Sequence, residues 1–354
     1  MNTMRNPLIL LLLFFIICPW ANAQTKIDYS NEPDEEFTRR MKWFNDAQFG
    51  MFIHFGLYSQ LGGIWQDDTI ETELAEWIQA HADISSQVYA MLTHTFNPTS
   101  FDAEFIVKTA KKAGMKYLVV TTKHHEGFCL WDSKYTNFDV MNTPFKRDIV
   151  KELSDACRKH DIRFGTYYSI IDWHHPSQER NIDGSGPSRW SQIRMKTGRK
   201  DEYIVYMKNQ IKELIDNYDT DIMWFDGDWV EWWNMKTGMN MYNYIRQLKP
   251  EIIINNRVAK RNVFKKDFGT PENFHLDNPV EYEWEACYTM NNSWGFKWSD
   301  DDWKKPREIY EKLIEINSRG GNLLLNIGPD GQGKVPQESV EILLKVGEML
   351  EEDR

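Results

Sequence analysis

Several side chains that could serve in acid, base or recognition chemistry follow short apolar runs of the sequence. The most informative run is Asp221-Ile-Met-Trp-Phe-Asp226-Gly, whose interior is apolar and aromatic throughout. Such a run predicts a buried parallel strand whose last residue emerges into a pocket. Asp226 is therefore a candidate nucleophile. The alternative is a turn aspartate, since Asp-Gly is a common turn pair.

Further polar residues stand at or near the ends of four other apolar runs, which begin at Phe49, Lys116, Arg163 and Glu251. These residues are His54, His124, His125, Tyr167 and Arg257. The strands of a parallel barrel present their carboxyl ends to one mouth, so the five side chains would converge there although they are distant in sequence. His54 taken alone is better explained as a hydrogen-bonded core residue.

A metal site is the competing explanation for the adjacent histidines, because His is a common metal ligand and Glu126 follows them. Neighbouring strand residues point to opposite faces, so His124 and His125 would need a bulge to bind one ion. The sequence also contains no H-x-x-x-H pair. We therefore expect hydroxyl recognition at this pair, and no metal.

The composition narrows the class of ligand. The chain has 42 Lys and Arg against 53 Asp and Glu, a net charge of −11, which argues against a broad nucleic-acid surface. Aromatic residues make up 14% of the chain and include 15 Trp, and such rings stack on the C–H faces of sugars as well as filling cores. The signatures of serine hydrolases, P-loop NTPases and dinucleotide-binding proteins are absent.

Cleavage of a glycosidic bond requires a second carboxyl group, about 5–5.5 Å from the first if the configuration is retained. The candidates lie in Gly269-Thr-Pro-Glu272 and in the acidic stretch that ends at Trp284-Glu285. Glu285 is preferred over Glu272, because an apolar wall such as Trp284 raises the pKa of a carboxyl towards the value an acid needs. A solvated acidic loop is the alternative for this stretch.

The elements that must position these residues alternate along the chain. Short apolar runs and amphipathic stretches predict repeated βα units, and 354 residues accommodate a barrel of about 250 residues with long loops. We predict a TIM-like (β/α)8 barrel, possibly irregular, with a doubly wound sheet as the alternative. Residues 31–36 are expected to form an acidic linker. Helices are predicted near 100–112 and at 149–160, 201–218, 240–248, 306–318 and 337–351.

The N-terminal residues predict export. Arg5, the apolar run 8–17 and Ala21-Asn22-Ala23 match a cleavable signal peptide over residues 1–23, which leaves 24–354 as the catalytic barrel domain. A periplasmic or extracellular location follows. Lipid anchoring through Cys18 is less favoured, because Ile17 precedes it where such signals have a small residue. No later segment approaches the roughly 20 apolar residues of a membrane span. Three further cysteines, at 129, 157 and 287, are expected to be buried thiols.

Six motifs, in the same order, resemble the α-L-fucosidases of glycoside hydrolase family 29, and the likeness covers roughly residues 36–351. They are Phe49-Gly-Met-Phe-Ile-His54-Phe-Gly-Leu-Tyr58-Ser, Lys123-His-His-Glu-Gly-Phe128, Trp224-Phe-Asp226-Gly, Trp284-Glu285-Ala-Cys, Ser293-Trp294-Gly and Arg319-Gly-Gly-Asn-Leu-Leu-Leu-Asn326-Ile-Gly-Pro-Asp-Gly.

The resemblance implies a barrel that removes terminal α-L-fucose from an oligosaccharide or glycoconjugate with retention, through a covalent fucosyl-enzyme and without a metal or organic cofactor. Asp226 matches the family's nucleophile and Glu285 its acid/base in some members. Glu272 is the second candidate, because the acid/base position shifts between subgroups. Positions that match sugar contacts are His54, His124, His125 and Tyr167; Trp224 and Arg257 match positions beside the nucleophile, and Trp65 and Trp77 are weaker candidates.

Several questions stay open at this point. Many relatives continue into a C-terminal β-sandwich, whereas this sequence stops at Arg354, so the side of the site that holds the leaving group is undetermined. The alternative functions are a fucose-binding protein without turnover and a hydrolase of a related sugar such as α-L-galactose. Carboxylates at both matched positions favour the enzyme. The sequence specifies neither the fucosyl linkage, the natural glycan nor the oligomeric state.

Overall fold

Seven parallel strands form one curled sheet in the computed structural model, which describes residues 27–265, 267–274, 276 and 280–353. They are β1 (Phe49–Ile53), β2 (Tyr117–Lys123), β3 (Arg163–Ser169), β4 (Ile222–Asp226), β5 (Ile253–Ile254), β6 (Trp284–Tyr288) and β7 (Gly321–Ile327). Their order across the sheet is β6-β7-β1-β2-β3-β4-β5. The predicted leader 1–23, including Cys18, lies outside the described residues.

An irregular stretch, residues 267–273, joins the two edge strands β5 and β6, and we call it the closing segment. On one side the Asp267 amide donates to the Ile254 carbonyl at 2.9 Å, and on the other the Glu285 amide donates to the Gly269 carbonyl at 2.9 Å. Its isolated bridges to both neighbours are parallel. Eight parallel stretches therefore close into a ring, which confirms the predicted barrel over the doubly wound alternative.

Within the described part of the chain, seven long helices accompany the strands. They are α1 (Asp34–Ala47), α2 (Ala103–Lys112), α3 (Ile149–His160), α4 (Lys200–Tyr218), α5 (Met235–Leu248), α6 (Pro306–Ser318) and α7 (Gln337–Glu352). One-turn helices lie at Tyr58–Leu61, Ile78–His81, Ser86–Ala90 and Pro187–Ser191, and 3₁₀ turns at Tyr29–Asn31, Ala75–Trp77, Met91–His94, Val140–Asn142 and Asn256–Val258. Two short antiparallel hairpins pair Ile64–Trp65 with Asp68–Thr69 and Gln178–Glu179 with Arg194–Met195.

Helix α3 shows why the sequence signals were reliable for most of these helices. The Asp148 carboxylate accepts from the Lys151 amide at 2.8 Å and caps the first turn, while the last turn carries three basic residues that suit the helix dipole. Ile149, Leu153 and Cys157 lie on one buried face. The predicted span 149–160 is therefore the observed one, because cap, periodicity and terminal charge agree.

Three sequence-based expectations are corrected here. The stretch 31–36 is not a linker, since Asp34–Glu36 form the first turn of α1, where carboxylates suit the helix dipole. Helix α5 begins at Met235 instead of residue 240, because the Asn234 side chain caps it by accepting from the Thr237 amide at 3.0 Å. The acidic stretch that ends at Trp284-Glu285, for which a solvated loop is the alternative, leads into a buried strand, β6.

The barrel interior is filled by aromatic and branched side chains. Those on the strands and closing segment include Phe52, Tyr117, Val119, Tyr167, Ile222, Trp224, Ile253, Phe268 and Leu324. Met41 and Phe44 of α1 belong to the same cluster. Cys129, Cys157 and Cys287 are free and buried, as expected. Among the described helices, none is both long and apolar enough to cross a membrane.

Candidate active site

A pocket of about 590 Å³ opens at the carboxyl ends of the barrel strands. It brings together most of the side chains that the sequence analysis singled out. These are His54, Trp77, His124, His125, Tyr167, Trp224, Asp226, Arg257 and Glu272. Strand ends from β1 to β5 and the end of the closing segment supply nearly all of them, which is the convergence expected of a barrel.

Asp226 is the last residue of β4, and its carboxylate is held from both sides. Oδ1 accepts from Arg257 at 2.8 Å and from Arg261 at 3.0 Å, and Oδ2 accepts from the Tyr167 hydroxyl at 3.3 Å. Burial alone would raise the pKa of Asp226, but the charges of Arg257 and Arg261 outweigh it and hold that pKa well below its usual range. The side chain stays 13% exposed towards the pocket, so it is an ionised, accessible carboxylate.

Glu272 stands at the rim of the same pocket and shares a partner with Asp226. Arg257 donates from Nη2 to Glu272 at 3.0 Å, while its Nη1 binds Asp226. The Arg257 guanidinium is buried and is fixed further by the Thr270 hydroxyl at 2.7 Å, whereas the Glu272 side chain is 42% exposed. One guanidinium therefore holds both carboxylates at the mouth, with Asp226 deeper and Glu272 nearer solvent.

Glu285 lies elsewhere, below the floor of the pocket. It is fully buried, and its two oxygens accept from the Tyr117 hydroxyl at 2.5 Å and the Trp224 indole N–H at 2.9 Å. Cys287, two residues further along β6, lines the pocket, so Glu285 sits one layer deeper on the same face, by about 6.6 Å at strand spacing. Burial raises the pKa of Glu285 to about 7. This geometry does not support the sequence-based assignment of Glu285 as acid/base.

The three histidines form one wall of the pocket. His54 Nδ1 contacts the Asn326 side-chain oxygen at 2.7 Å, and His125 Nδ1 contacts the Ser169 hydroxyl at 2.6 Å, so each ring is oriented by a partner on its far side. Burial lowers the pKa of His54 to about 3 and that of His125 to about 4. Both rings are neutral at ordinary pH and suit hydrogen bonding to hydroxyl groups.

His124 and His125 share the pocket although they are neighbours in sequence. Strand β2 ends at Lys123, after a register shift, so the alternation of strand faces does not apply to the pair, and their ring centroids are 4.3 Å apart. The His124 Nδ1 atom is buried and has no hydrogen-bond partner among the described residues. Within that part of the chain, no three His, Cys, Asp or Glu side chains are grouped as a metal site would require.

The structure adds pocket residues that the sequence analysis did not assign, namely Phe52, Leu74, Glu76, Trp229, Cys287 and Trp294. Glu76 is buried, accepts from the Gly295 amide at 2.9 Å, and has a pKa that burial raises to about 7. The sequence signal that could have identified Glu76 is its position directly before Trp77, a predicted sugar contact. Trp65, a predicted sugar contact, lies in the short hairpin and does not line the pocket.

Comparisons with known proteins agree on one family. A family model described as Alpha-L-fucosidase matches residues 16–353. Human plasma alpha-L-fucosidase is 31% identical over 351 residues, which are 94% of this chain and 72% of that protein. The tissue enzyme of mouse is 30% identical over 87% of this chain and 69% of its own.

Solved structures give the same result. Alpha-L-fucosidase isoenzyme 1 from Paenibacillus thiaminolyticus is 36% identical with a TM-score of 0.80, over 89% of this chain and 76% of that one. Alpha-L-fucosidase AlfC from Lactobacillus casei, in complex with its α-L-fucose product, is 35% identical with a TM-score of 0.80, over 89% and 98%. With the family model covering nearly the whole sequence, the chain belongs to the α-L-fucosidase family of glycoside hydrolases.

Proposed function

We propose that this α-L-fucosidase releases terminal α-L-fucose from oligosaccharides or glycoconjugates with retention of configuration, using Asp226 as nucleophile and Glu272 as acid/base. The observation that carries the proposal is the pair of carboxylates on the Arg257 guanidinium, one ionised inside the pocket and one open at its rim. The related AlfC structures with α-L-fucose and with Fucα(1,6)GlcNAc support the ligand class.

The reaction follows from the positions of the two carboxylates. In the first step Asp226 attacks C1 of fucose, the glycosidic C–O bond breaks, and protonated Glu272 gives its proton to the leaving oxygen. In the second step Glu272 takes a proton from water, the water oxygen attacks C1, and the ester bond to Asp226 breaks. Arg257 contacts both carboxylates, so its positive charge can stabilise whichever of them is ionised in each step.

Selectivity for fucose follows from the remaining walls. The neutral rings of His54, His124 and His125 can each donate to or accept from a sugar hydroxyl. Fucose carries a methyl group in place of a hydroxymethyl group, and the aromatic wall that includes Trp294 suits an apolar substituent. An aromatic surface favours the methyl group over a hydroxymethyl group, which disfavours α-L-galactose.

The stereochemical course of hydrolysis tests the proposal. Proton NMR of an aryl α-L-fucoside digest should show α-L-fucose as the first product, before mutarotation. Initial β-L-fucose would show inversion and contradict the covalent intermediate. A wild-type protein that binds fucose but releases no aryl alcohol would instead support the alternative of a binding protein without turnover.

We expect Glu285→Gln to keep activity within about fivefold of wild type, because an amide can still accept from Trp224 and donate to the Tyr117 oxygen. An acid/base carboxyl replaced in this way should instead cost about 10²–10⁴-fold. Glu285→Ala leaves the Trp224 N–H unpaired and should lower both activity and melting temperature. Steady-state kinetics of the two variants separate a positioning role of Glu285 from a catalytic one. A Gln variant as inactive as the Ala variant would contradict the positioning role.

Recognition by the histidines should be independent of pH over the mildly acidic range. The pKa values of His54 and His125 are lowered to about 3 and about 4, so their neutral forms persist as the pH falls through 6.5 and are lost only near those lower values. Nitrogen-15 NMR of the two imidazoles should report neutral rings at both pH 7 and pH 5, a readout that does not depend on the carboxyl of Glu76, whose pKa is about 7. Imidazole signals that titrate with a midpoint near pH 6.5 would show that the rings behave as free histidines.

We also propose that the protein is exported after removal of residues 1–23. The support is the sequence pattern of a basic residue, an apolar run and Ala21-Asn22-Ala23. Mass spectrometry of the mature protein from its native host should find Gln24 at the N-terminus. An N-terminus at Met1, or a lipid-modified Cys18, would contradict this.

A further inference from the structure

A second cleft lies beside the active-site pocket. It holds about 680 Å³ of empty space, part of it open to solvent, and is formed by the loops after β6 and β7 together with the start of α7. Because these loops follow the carboxyl ends of barrel strands, the cleft lies on the same face of the barrel as the pocket. Trp294 lines both cavities, and the adjacent Gly295 amide binds Glu76 of the pocket. The wall between the two cavities therefore includes these two loop residues.

Trp298 is an exposed side chain of this cleft and is nevertheless held in place by its neighbours. The residue is 65% exposed. Its backbone amide donates to the Gly62 carbonyl at 3.0 Å, and its ring packs edge-on against Phe296 with the ring centroids 4.7 Å apart. A Cβ atom on Gly62 would lie 2.6 Å from the Trp298 ring, and Gly62 has φ +53°. Glycine at position 62 thus admits the indole, which is held in place with much of its surface facing solvent.

The polar groups around Trp298 are acceptors more than donors. Asp301 and Glu338 contribute carboxylates, and Asn291 and Ser339 contribute an amide and a hydroxyl. Lys297, which also lines the cleft, donates to the Thr72 carbonyl at 2.6 Å. A flat ring bordered by acceptors suits a neutral sugar, whose C–H face stacks on an aromatic ring and whose hydroxyls donate at its edge. Carboxylates disfavour an anionic sugar.

We propose that this cleft, the Trp298 cleft, binds a second, neutral sugar residue of the same glycan while the terminal fucose occupies the active-site pocket. The inference rests on the proposed fucosidase function and extends it to substrate choice. A rigid, pre-placed indole costs little conformational entropy on binding, so it should contribute affinity only for substrates long enough to reach it. An aryl fucoside ends before the cleft, whereas a longer fucosylated oligosaccharide extends into it.

The test compares Trp298→Ala with wild type on an aryl α-L-fucoside and on a panel of longer neutral fucosylated oligosaccharides. We expect kcat/KM for the best oligosaccharide to fall about tenfold, and kcat/KM for the aryl fucoside to stay within about twofold. Trp298→Phe, which keeps a smaller ring, should fall between. Phe105→Ala, which removes a 47% exposed ring from the outer helix α2, is the matched control and should change neither.

Equal losses on both substrate classes, or no loss on either, would overturn the inference. A direct binding measurement separates this failure from failure of the proposed function. Calorimetry of the same oligosaccharide with Asp226→Ala, and with Asp226→Ala combined with Trp298→Ala, requires no turnover. We expect about tenfold weaker binding in the second protein. Equal binding by the two would reject the Trp298 cleft whatever the outcome of the activity assays.

Discussion

Replacing Asp226 by alanine should lower kcat on an aryl α-L-fucoside by roughly 10⁴-fold or more, because it removes the carboxylate that forms the covalent bond to C1. The substitution leaves the guanidinium of Arg257 paired with Glu272, so the pocket keeps its wall and fucose should still bind. Initial-rate kinetics together with fucose binding by calorimetry measure the two effects separately.

Asp221 provides a matched control for this variant. It begins the same apolar run, but its partners are Arg163 and Lys249, and it does not line the pocket. Asp221→Ala removes an equal charge from the other end of the strand and should leave kcat within about threefold of wild type. Comparable losses in both variants would indicate a general effect of strand β4 on folding and remove the support for Asp226 as nucleophile.

Replacing Glu272 by alanine should slow hydrolysis of a natural oligosaccharide by about 10³-fold or more, and that of an activated aryl fucoside by less, since its leaving group needs no proton. The fucosyl-enzyme then accumulates, because water lacks a base. Added azide needs no base and should restore turnover of the aryl fucoside. Burst-phase kinetics with and without azide measure both effects.

Glu285→Ala is the informative comparison. Azide cannot enter a site that is fully buried beneath Trp224, so added azide should not change the rate of the Glu285→Ala variant. Azide acceleration of the Glu285 variant together with an inert Glu272 variant would reverse our assignment and restore the expectation drawn from the Trp-Glu motif.

The positions of Asp226, Arg257 and the histidines were predictable, because each stands at or beyond the end of an apolar run, and parallel strands gather such residues at one mouth. The fold was predictable for the same reason, since strand and helix patterns alternate regularly. Tyr167 lies in the same site as these residues although it stands two residues before the end of β3, because its ring points along the barrel interior to Asp226.

The choice between Glu272 and Glu285 could not be made from the sequence. It depends on the register of β6, which places Glu285 opposite Asn322 and Cys287 opposite Leu324, and a shift of two residues would have brought Glu285 to the mouth. It also depends on the closing segment, which lacks regular strand character yet places Glu272, near its end, at the rim of the pocket. The apolar surroundings that raise the pKa of Glu285 are real, but they belong to a sealed layer.

Arg261 and Trp65 show that sequence patterns identify loop residues poorly: the first contacts the site without being predicted, and the second was predicted but lies outside it. Arg261 binds the Asp226 carboxylate from a loop after β5 and helps to keep Asp226 ionised, although no strand pattern marks it. Trp65 is one of the weaker sugar-contact candidates that the family resemblance implies, yet its hairpin places it outside the pocket. Loop residues are positioned by tertiary contacts, and residue type alone does not report those contacts.

The configuration of fucosyl azide made by the two catalytic variants tests the central assignment most directly. Azide that replaces the nucleophile in Asp226→Ala attacks the α-fucoside once and should give β-L-fucosyl azide, whereas azide that intercepts the fucosyl-enzyme in Glu272→Ala should give the α anomer. Proton NMR distinguishes the two. Opposite anomers from these variants are the predicted result, and the same anomer from both, or α-L-fucosyl azide from Glu285→Ala, would contradict the account.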